Sequence, residues 1–341
     1  MRKKVLLIAT GGTFAATESK NGLRPTFDIK KIADLFPEVK KIADIEALQI
    51  FSLDSTNIHP QHWTEMAKVV AENHDKYDGF VISHGTDTMY YSSAALSFAL
   101  GGIRKPVVFT GSAISIDKDN SDAKVNFLDS VRAASSDSIK EVCVCFHGDI
   151  IRGTRARKVA NEASKIINEK IGIYASINSY PIGKIDDGKV IKNPKTEGCP
   201  ENTLLEVLPN FDLKVGHIKL YPGIESEILD YYKDKKAVLI EAFAPGNVPF
   251  AYSHWIEGIK KATKNKTSIF VTTQNPFGAV DMEMYEVGQR AMKAGAIPCH
   301  DMLPEAALVK LMWILGNFPG LSNKELEKMF LRNFCGEIRK Y

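Results

Sequence analysis

Cysteine is scarce in this chain of 341 residues: there are five, Cys143, Cys145, Cys199, Cys299 and Cys335. An odd count in a chain of this size argues against a disulfide framework. Cys143-x-Cys145 with His147 suggests a metal, but no second ligand pair follows at zinc-site spacing. The alternation over residues 141–147 reads instead as a buried strand. Neither sign of charge is in excess: 44 Lys and Arg against 41 Asp and Glu leave a net +3. That is too little to make nucleic acid the main ligand. No apolar stretch is long enough to cross a bilayer. The apolar run behind the basic Met1-Arg2-Lys3-Lys4 ends at Ala9, too short for a signal-peptide core. A cytoplasmic protein is expected. The dinucleotide fingerprint G-x-G-x-x-G is absent, as are internal repeats and low-complexity segments. No histidine stands where a general base is needed; His84 precedes the main motif and is expected to face the core.

What is present is a soluble-protein balance of 44% hydrophobic and 25% charged residues, enough for a large core. Periodicity predicts strands over 3–9, 48–53, 79–82, 106–110 and 141–147, alternating with helices over 28–36, 60–76, 91–100 and 121–134. This βα alternation implies a largely parallel sheet. Periodicity fades over 188–209, where Pro194, Gly198 and Pro200 collect. Beyond it, strands are predicted over 216–220, 237–241 and 268–273, and helices over 225–235, 253–264, 282–294, 304–315 and 323–332. The expected organisation is an N-terminal catalytic domain (1–190), a linker (191–210) and a smaller C-terminal α/β domain (211–341).

Polar residues gather at the predicted strand ends. Thr10-Gly11-Gly12-Thr13 ends the first strand, Asp54-Ser55-Thr56 the second, His84-Gly85-Thr86-Asp87-Thr88 the third and Gly111-Ser112 the fourth. Ligands of open α/β sheets bind at the carboxyl ends of the strands. Glycine lets a substrate approach the backbone, and a hydroxyl behind glycine is a nucleophile if something activates it. Thr13 and Thr86 both fit that description. The bland alternatives are that Thr13 caps a turn and that Thr86 or Asp87 is a helix N-cap. Further on, Arg152-Gly153-Thr154-Arg155-Ala156-Arg157-Lys158 brings four cations together. Such a run is more often a solvated basic loop; the functional reading turns Lys158 inward to Asp87. A Thr–Lys–Asp relay is a triad variant in which lysine does the work of histidine, suited to acyl transfer from an amide to water. The segment 18–25, with its Asn21-Gly22 turn signal, lies where a mobile lid is useful.

Thr10-Gly11-Gly12-Thr13, Asp54-Ser55, His84-Gly85-Thr86-Asp87-Thr88 and Thr110-Gly111-Ser112 resemble the signature blocks of bacterial-type L-asparaginases and glutaminases. The resemblance runs nearly end to end, through 152–158 to Lys310-Leu311-Met312-Trp313, and is nearest the cytosolic, archaeal branch. It implies a two-domain α/β amidohydrolase acting on asparagine, with no metal or organic cofactor. By carry-over Thr13 is the nucleophile, activated by Thr86, Lys158 and Asp87. Ser55 would hold the substrate α-carboxylate and Asp87 the α-ammonium. Asp54 and Gly85 would line the site, and backbone N–H groups near Gly12, Thr13 and Thr86 would form the oxyanion hole. A homodimer or homotetramer is implied, with Asn247 of a neighbouring subunit completing the site. Two departures stand out. Gly22 is followed by Leu23 where the family's lid usually carries tyrosine, and Lys158 is not followed by the usual Asp-Ala-Phe.

Tyr221-Pro222-Gly223, Ser176-Ile177-Asn178-Ser179-Tyr180-Pro181 and Asp301-Met302-Leu303-Pro304-Glu305 also resemble the D subunit of archaeal glutamyl-tRNA(Gln) amidotransferase. That subunit releases ammonia for a tRNA-bound partner. It carries an additional N-terminal domain for which Thr13, so near Met1, is expected to leave no room. Asp54-Ser55 fits the free-standing enzymes better. A ligand-only amino-acid-binding protein is a third reading, against which a lysine beside a threonine argues, because binding alone does not need it.

Overall fold

The computed structural model describes residues 2–12, 16–19, 22–25, 35–161, 172–199 and 206–339. Thr13, most of the helix expected over 28–36 and the departure after Lys158 at 162–166 lie outside the described residues. Among residues 16–25 only the backbone of the two strands given below is described. The chain forms two compact units, residues 1–209 and 210–341.

The first unit begins with β1 (Lys4–Gly11), then a hairpin of β2 (Ala16–Ser19) and β3 (Gly22–Pro25), and β4 (Asp44–Leu53). Next come α1 (Pro60–Glu72), β5 (Gly79–Ser83), α2 (Met89–Ala99), the two-residue β6 (Leu100–Gly101), β7 (Val107–Thr110), α3 (Ala123–Ala134) and β8 (Val142–Phe146). The chain then turns back through β9 (Asp149–Arg152), β10 (Ala156–Lys158), β11 (Tyr174–Ser176), β12 (Gly183–Asp186), β13 (Lys189–Lys192) and β14 (Glu206–Val207). The main sheet has the order β13-β12-β9-β8-β7-β5-β1-β4. Its β4, β1, β5, β7 and β8 run parallel, while β9, β12 and β13 continue it antiparallel. Val5, Leu7 and Ala9 of β1 pack into one core with Phe127 and Val131 of α3, and the alternate Leu6 and Ile8 are buried too. Burial on both faces explains why these strands read as unbroken apolar runs. Cys143 and Cys145 belong to this core; burial pushes both thiols up, Cys145 to about 12.

The basic run and the stretch expected as a linker both carry strands in this unit. The run 152–158 is no solvated basic loop. Arg152 is buried on β9 and donates from Nε to Glu141 at 2.7 Å, Arg155 is almost wholly buried, and Lys158 ends β10. The stretch 191–210 carries the end of β13 and also β14, whose two residues pair with β6; its residues through Pro209 fall within the first unit.

The second unit comprises β15 (Val215–Lys219), α4 (Ile228–Tyr231), β16 (Ala237–Ala242), α5 (Trp255–Lys264), β17 (Ser268–Thr273), α6 (Glu286–Lys293), β18 (Ala296–Pro298), α7 (Pro304–Asn317) and α8 (Asn323–Phe330). Its sheet, β15-β16-β17-β18, is parallel throughout. Val238, Ile240 and Ala242 meet Trp255 and Ile259 on one side. On the other, Phe270 packs against Phe330 with ring centroids 4.4 Å apart and the rings tilted by 51°. The helix expected over 225–235 shrinks to the four residues of α4. The Tyr232 ring lies across Gly216, where an added Cβ would sit 2.5 Å from it, and its hydroxyl donates to His217 O at 3.2 Å. That seat takes the chain out of helix. The start of α6 likewise falls later than expected, at Glu286, behind a turn in which Asp281 Oδ1 accepts the Glu283 and Met284 N–H groups. Among the described residues no helix is long and apolar enough to cross a membrane.

Candidate active site

The sheet order sets β4, β1 and β5 side by side and parallel, so their carboxyl ends emerge together. Their closeness there depends on glycine. Gly12, at φ +80°, donates its N–H to Leu53 O at 3.0 Å. A Cβ on Gly12 would lie 2.4 Å from Gly85 N, and one on Gly85 would lie 2.6 Å from Ser55 Oγ. The ends of three strands thus meet at a range that no added side chain permits.

On this floor stands the hydroxyl–amine–carboxylate cluster. Lys158 Nζ donates to Thr86 Oγ1 at 2.9 Å and to Asp87 Oδ1 at 2.6 Å. The lysine side chain is 15% exposed and the aspartate 56%, so the amine is shielded while its partner faces outward. Ser55 Oγ accepts from Asp87 N–H at 3.2 Å, and Thr88 Oγ1 donates to Ser55 O at 2.7 Å. Asp54 is turned to local work: its Oδ1 accepts from Thr56 N–H at 2.9 Å and Thr56 Oγ1 at 2.8 Å, capping a short 3-10 turn. Neither Thr86 nor Asp87 caps α2; Thr88 holds that position and makes no side-chain capping bond.

Behind the cluster His84 is fully buried, as its place before the motif leads one to expect. Its Nδ1 lies 2.7 Å from Gly85 O and its Nε2 2.9 Å from Ser92 Oγ. Because a carbonyl only accepts, Nδ1 carries the proton and Nε2 accepts from the serine. Ser92 Oγ in turn accepts from Trp63 Nε1 at 2.9 Å. Burial lowers the His84 pKa to about 4, so the ring is neutral and serves as scaffold.

Sequence reasoning passes over Tyr174, whose phenol donates to Thr86 O. It is 4% exposed; burial, with Tyr90 and Asp87 nearby, holds it well above the ordinary tyrosine range. Only its place beside Ser176-Ile177-Asn178 could have drawn attention to it.

Asn247 belongs to the second unit, in a tight loop where Phe243 N and Asn247 O close a turn behind Gly246 at φ +117°. Its Nδ2 donates to Ala244 O at 2.9 Å. Its Oδ1 is buried without a hydrogen-bond partner among the described residues.

A hydroxyl, an amine and a carboxylate gathered at the ends of a parallel sheet is the equipment of an acyl-transfer enzyme of the α/β class. Comparison with known proteins narrows that class. A family model described as Asparaginase, N-terminal, matches residues 4–196, and the Glutaminase/Asparaginase C-terminal domain matches 214–330. The D subunit of glutamyl-tRNA(Gln) amidotransferase from Pyrococcus abyssi is 37% identical over 351 residues, covering 99% of this chain and 77% of that one. An L-asparaginase from Thermococcus kodakarensis is 35% identical over 339 residues, covering 98% and 99%. Among solved structures, the thermostable L-asparaginase from Thermococcus kodakarensis matches with a TM-score of 0.87 at 33% identity, over 99% of this chain and all of that one. L-asparaginase I from Vibrio cholerae matches with a TM-score of 0.86 at 29% identity over the full length of both. The chain belongs to the asparaginase family and is an amidohydrolase of the asparaginase/glutaminase type.

Proposed function

We propose that the protein is an L-asparaginase, hydrolysing L-asparagine to L-aspartate and ammonia through a threonine acyl-enzyme. The observation that carries the proposal is Lys158 Nζ within hydrogen-bond reach of both Thr86 Oγ1 and Asp87 Oδ1. In this scheme Thr13, which follows Gly12 in the chain, attacks the carboxamide carbon while its proton passes to the Thr86–Lys158 pair. Asp87 steadies the cationic lysine. The tetrahedral oxyanion would be received by backbone N–H groups near Thr13 and Thr86, the Gly12 N–H being taken by Leu53 O. Collapse breaks the C–N bond, the proton returns to the leaving nitrogen, and ammonia departs. Water, deprotonated by the same relay, then cleaves the ester to aspartate and free Thr13. Ser55 would offer its O–H to the α-carboxylate, and the outward Asp87 carboxylate would pair with the α-ammonium. By the family resemblance, Asn247 would meet the substrate of a neighbouring copy in a homo-oligomer.

The likeness to the Pyrococcus amidotransferase protein favours a second reading, in which the same ammonia-releasing chemistry serves a tRNA-bound partner. The two readings separate by experiment. Purified protein alone is expected to release ammonia from free asparagine, and Thr13→Ala to abolish it while the circular dichroism spectrum stays unchanged. Release that requires a co-purifying tRNA-binding partner would favour the amidotransferase reading, and unchanged activity in Thr13→Ala would remove Thr13 as nucleophile.

A further inference from the structure

We propose that Tyr174 is a positioning residue for the hydrolytic reaction, its phenol fixing the Thr86 peptide so that the hydroxyl faces Lys158; the proposal rests on the reading that Thr86 and Lys158 form the relay. Three consecutive residues at the end of β5 are each held from a different part of the fold. Gly85 O accepts from His84 Nδ1, which is braced by Ser92 of α2. Asp87 N–H donates to Ser55 at the end of β4. Between them Thr86 O accepts from Tyr174 OH on β11. The third tie has a property the other two lack. Tyr174 is the direct cross-strand partner of Lys158 in the β10–β11 ladder, so one two-stranded ribbon presents both the amine that meets the Thr86 side chain and the phenol that meets its backbone. Lys158 and Thr86 are 72 residues apart in sequence, and this ribbon sets their separation.

The geometry makes the contribution separable from folding. The Tyr174 ring packs on Phe146 with centroids 5.3 Å apart, a contact that phenylalanine retains. Tyr174→Phe therefore deletes one oxygen from a site whose carbon packing is unchanged. What is lost is the donor to Thr86 O, and a partly buried carbonyl without its donor shifts to find another. A displacement of the order of an ångström at a reacting hydroxyl can cost up to about a hundredfold in rate. Asp87 and Ser55 keep their own hydrogen bond, so the substrate-binding side of the loop is spared.

The test is steady-state ammonia release from asparagine by the full chain, wild type beside Tyr174→Phe, normalised to folded protein, with thermal unfolding of both. The expected result is a kcat lower by roughly tenfold or more with KM within about twofold, and a thermal midpoint within a few degrees of wild type. A purely structural role would lower the midpoint and the folded yield and leave kcat per folded chain unaltered. A kcat within about twofold of wild type, or a loss carried wholly by KM, overturns the proposal. A wild type that releases no ammonia from asparagine or glutamine, alone or with a tRNA-binding partner, removes the relay reading and this proposal with it. An active wild type beside an unimpaired variant removes the proposal alone.

Discussion

At the scale of single residues, the site is a set of polar groups whose environments assign them different duties. Lys158 and His84 are both nitrogen bases near Thr86, yet only the lysine reaches its hydroxyl. His84 has both ring nitrogens engaged, on Gly85 O and Ser92, and burial lowers its pKa to about 4. That shift has a stability consequence. In the unfolded chain the ring takes up a proton near its ordinary value, about 6.5. Between about pH 6.5 and pH 4 the unfolded state therefore binds more protons than the folded one, and stability falls as pH falls. The full loss is of the order of 3 kcal/mol. Thermal unfolding across that window should show it, and His84→Gln should flatten the slope; an equal slope in the variant would reject the assignment. The Lys158–Asp87 approach is legible in the sequence, because four cations within seven residues after a strand invite one of them to meet a strand-end carboxylate. Tyr174 is not legible. Its contact with Thr86 spans 88 residues, and a tyrosine in a short strand carries no mark of what its hydroxyl touches.

At the scale of elements, most strands are readable from apolar runs buried on both faces, while several helix ends are not. The helix expected through residue 235 ends early because Tyr232 seats on Gly216, a tertiary fact with no local signal. The same kind of close approach, placed at strand ends, builds the site. Gly12 at φ +80° lies against Gly85, and Gly85 against Ser55. Gly12→Ala combines a strained left-handed backbone with a Cβ 2.4 Å from Gly85 N. It should cost more than about 1 kcal/mol of stability and a far larger share of activity, since it moves the β1 and β5 ends apart. Urea unfolding beside the ammonia assay measures both. An active variant of wild-type stability would show that the contact is not needed.

At the scale of the whole molecule, the two units use different means of closure. The first relies on a doubly covered sheet. The second also fastens its C-terminal segment through a fully buried ion pair, Lys310 Nζ to Glu337 Oε1 at 2.6 Å. Lys310 also donates to Arg332 O at 2.6 Å, and Glu337 accepts the Phe334 and Cys335 N–H groups. Burial lowers the Lys310 pKa. Burial opposes ionisation of Glu337 too, but the lysine and the two backbone donors outweigh it and keep the carboxylate below its usual range. Lys310→Met leaves that carboxylate buried without its cation and should cost about 3–5 kcal/mol. Denaturant unfolding of the variant tests this, and a loss under about 1 kcal/mol would mean that water replaces the lysine. In the sequence Lys310 reads as part of a helix and of the block Lys310-Leu311-Met312-Trp313, but nothing local announces that its partner lies 27 residues on.

The proposed hydrolysis depends on Lys158 acting through Thr86. The most direct measurement is kcat for ammonia release from asparagine and from glutamine, wild type against Lys158→Met. A fall of roughly a hundredfold or more, the scale of lost base catalysis, with the fold intact, is the expected result. A variant that hydrolyses asparagine at near the wild-type rate would contradict the account.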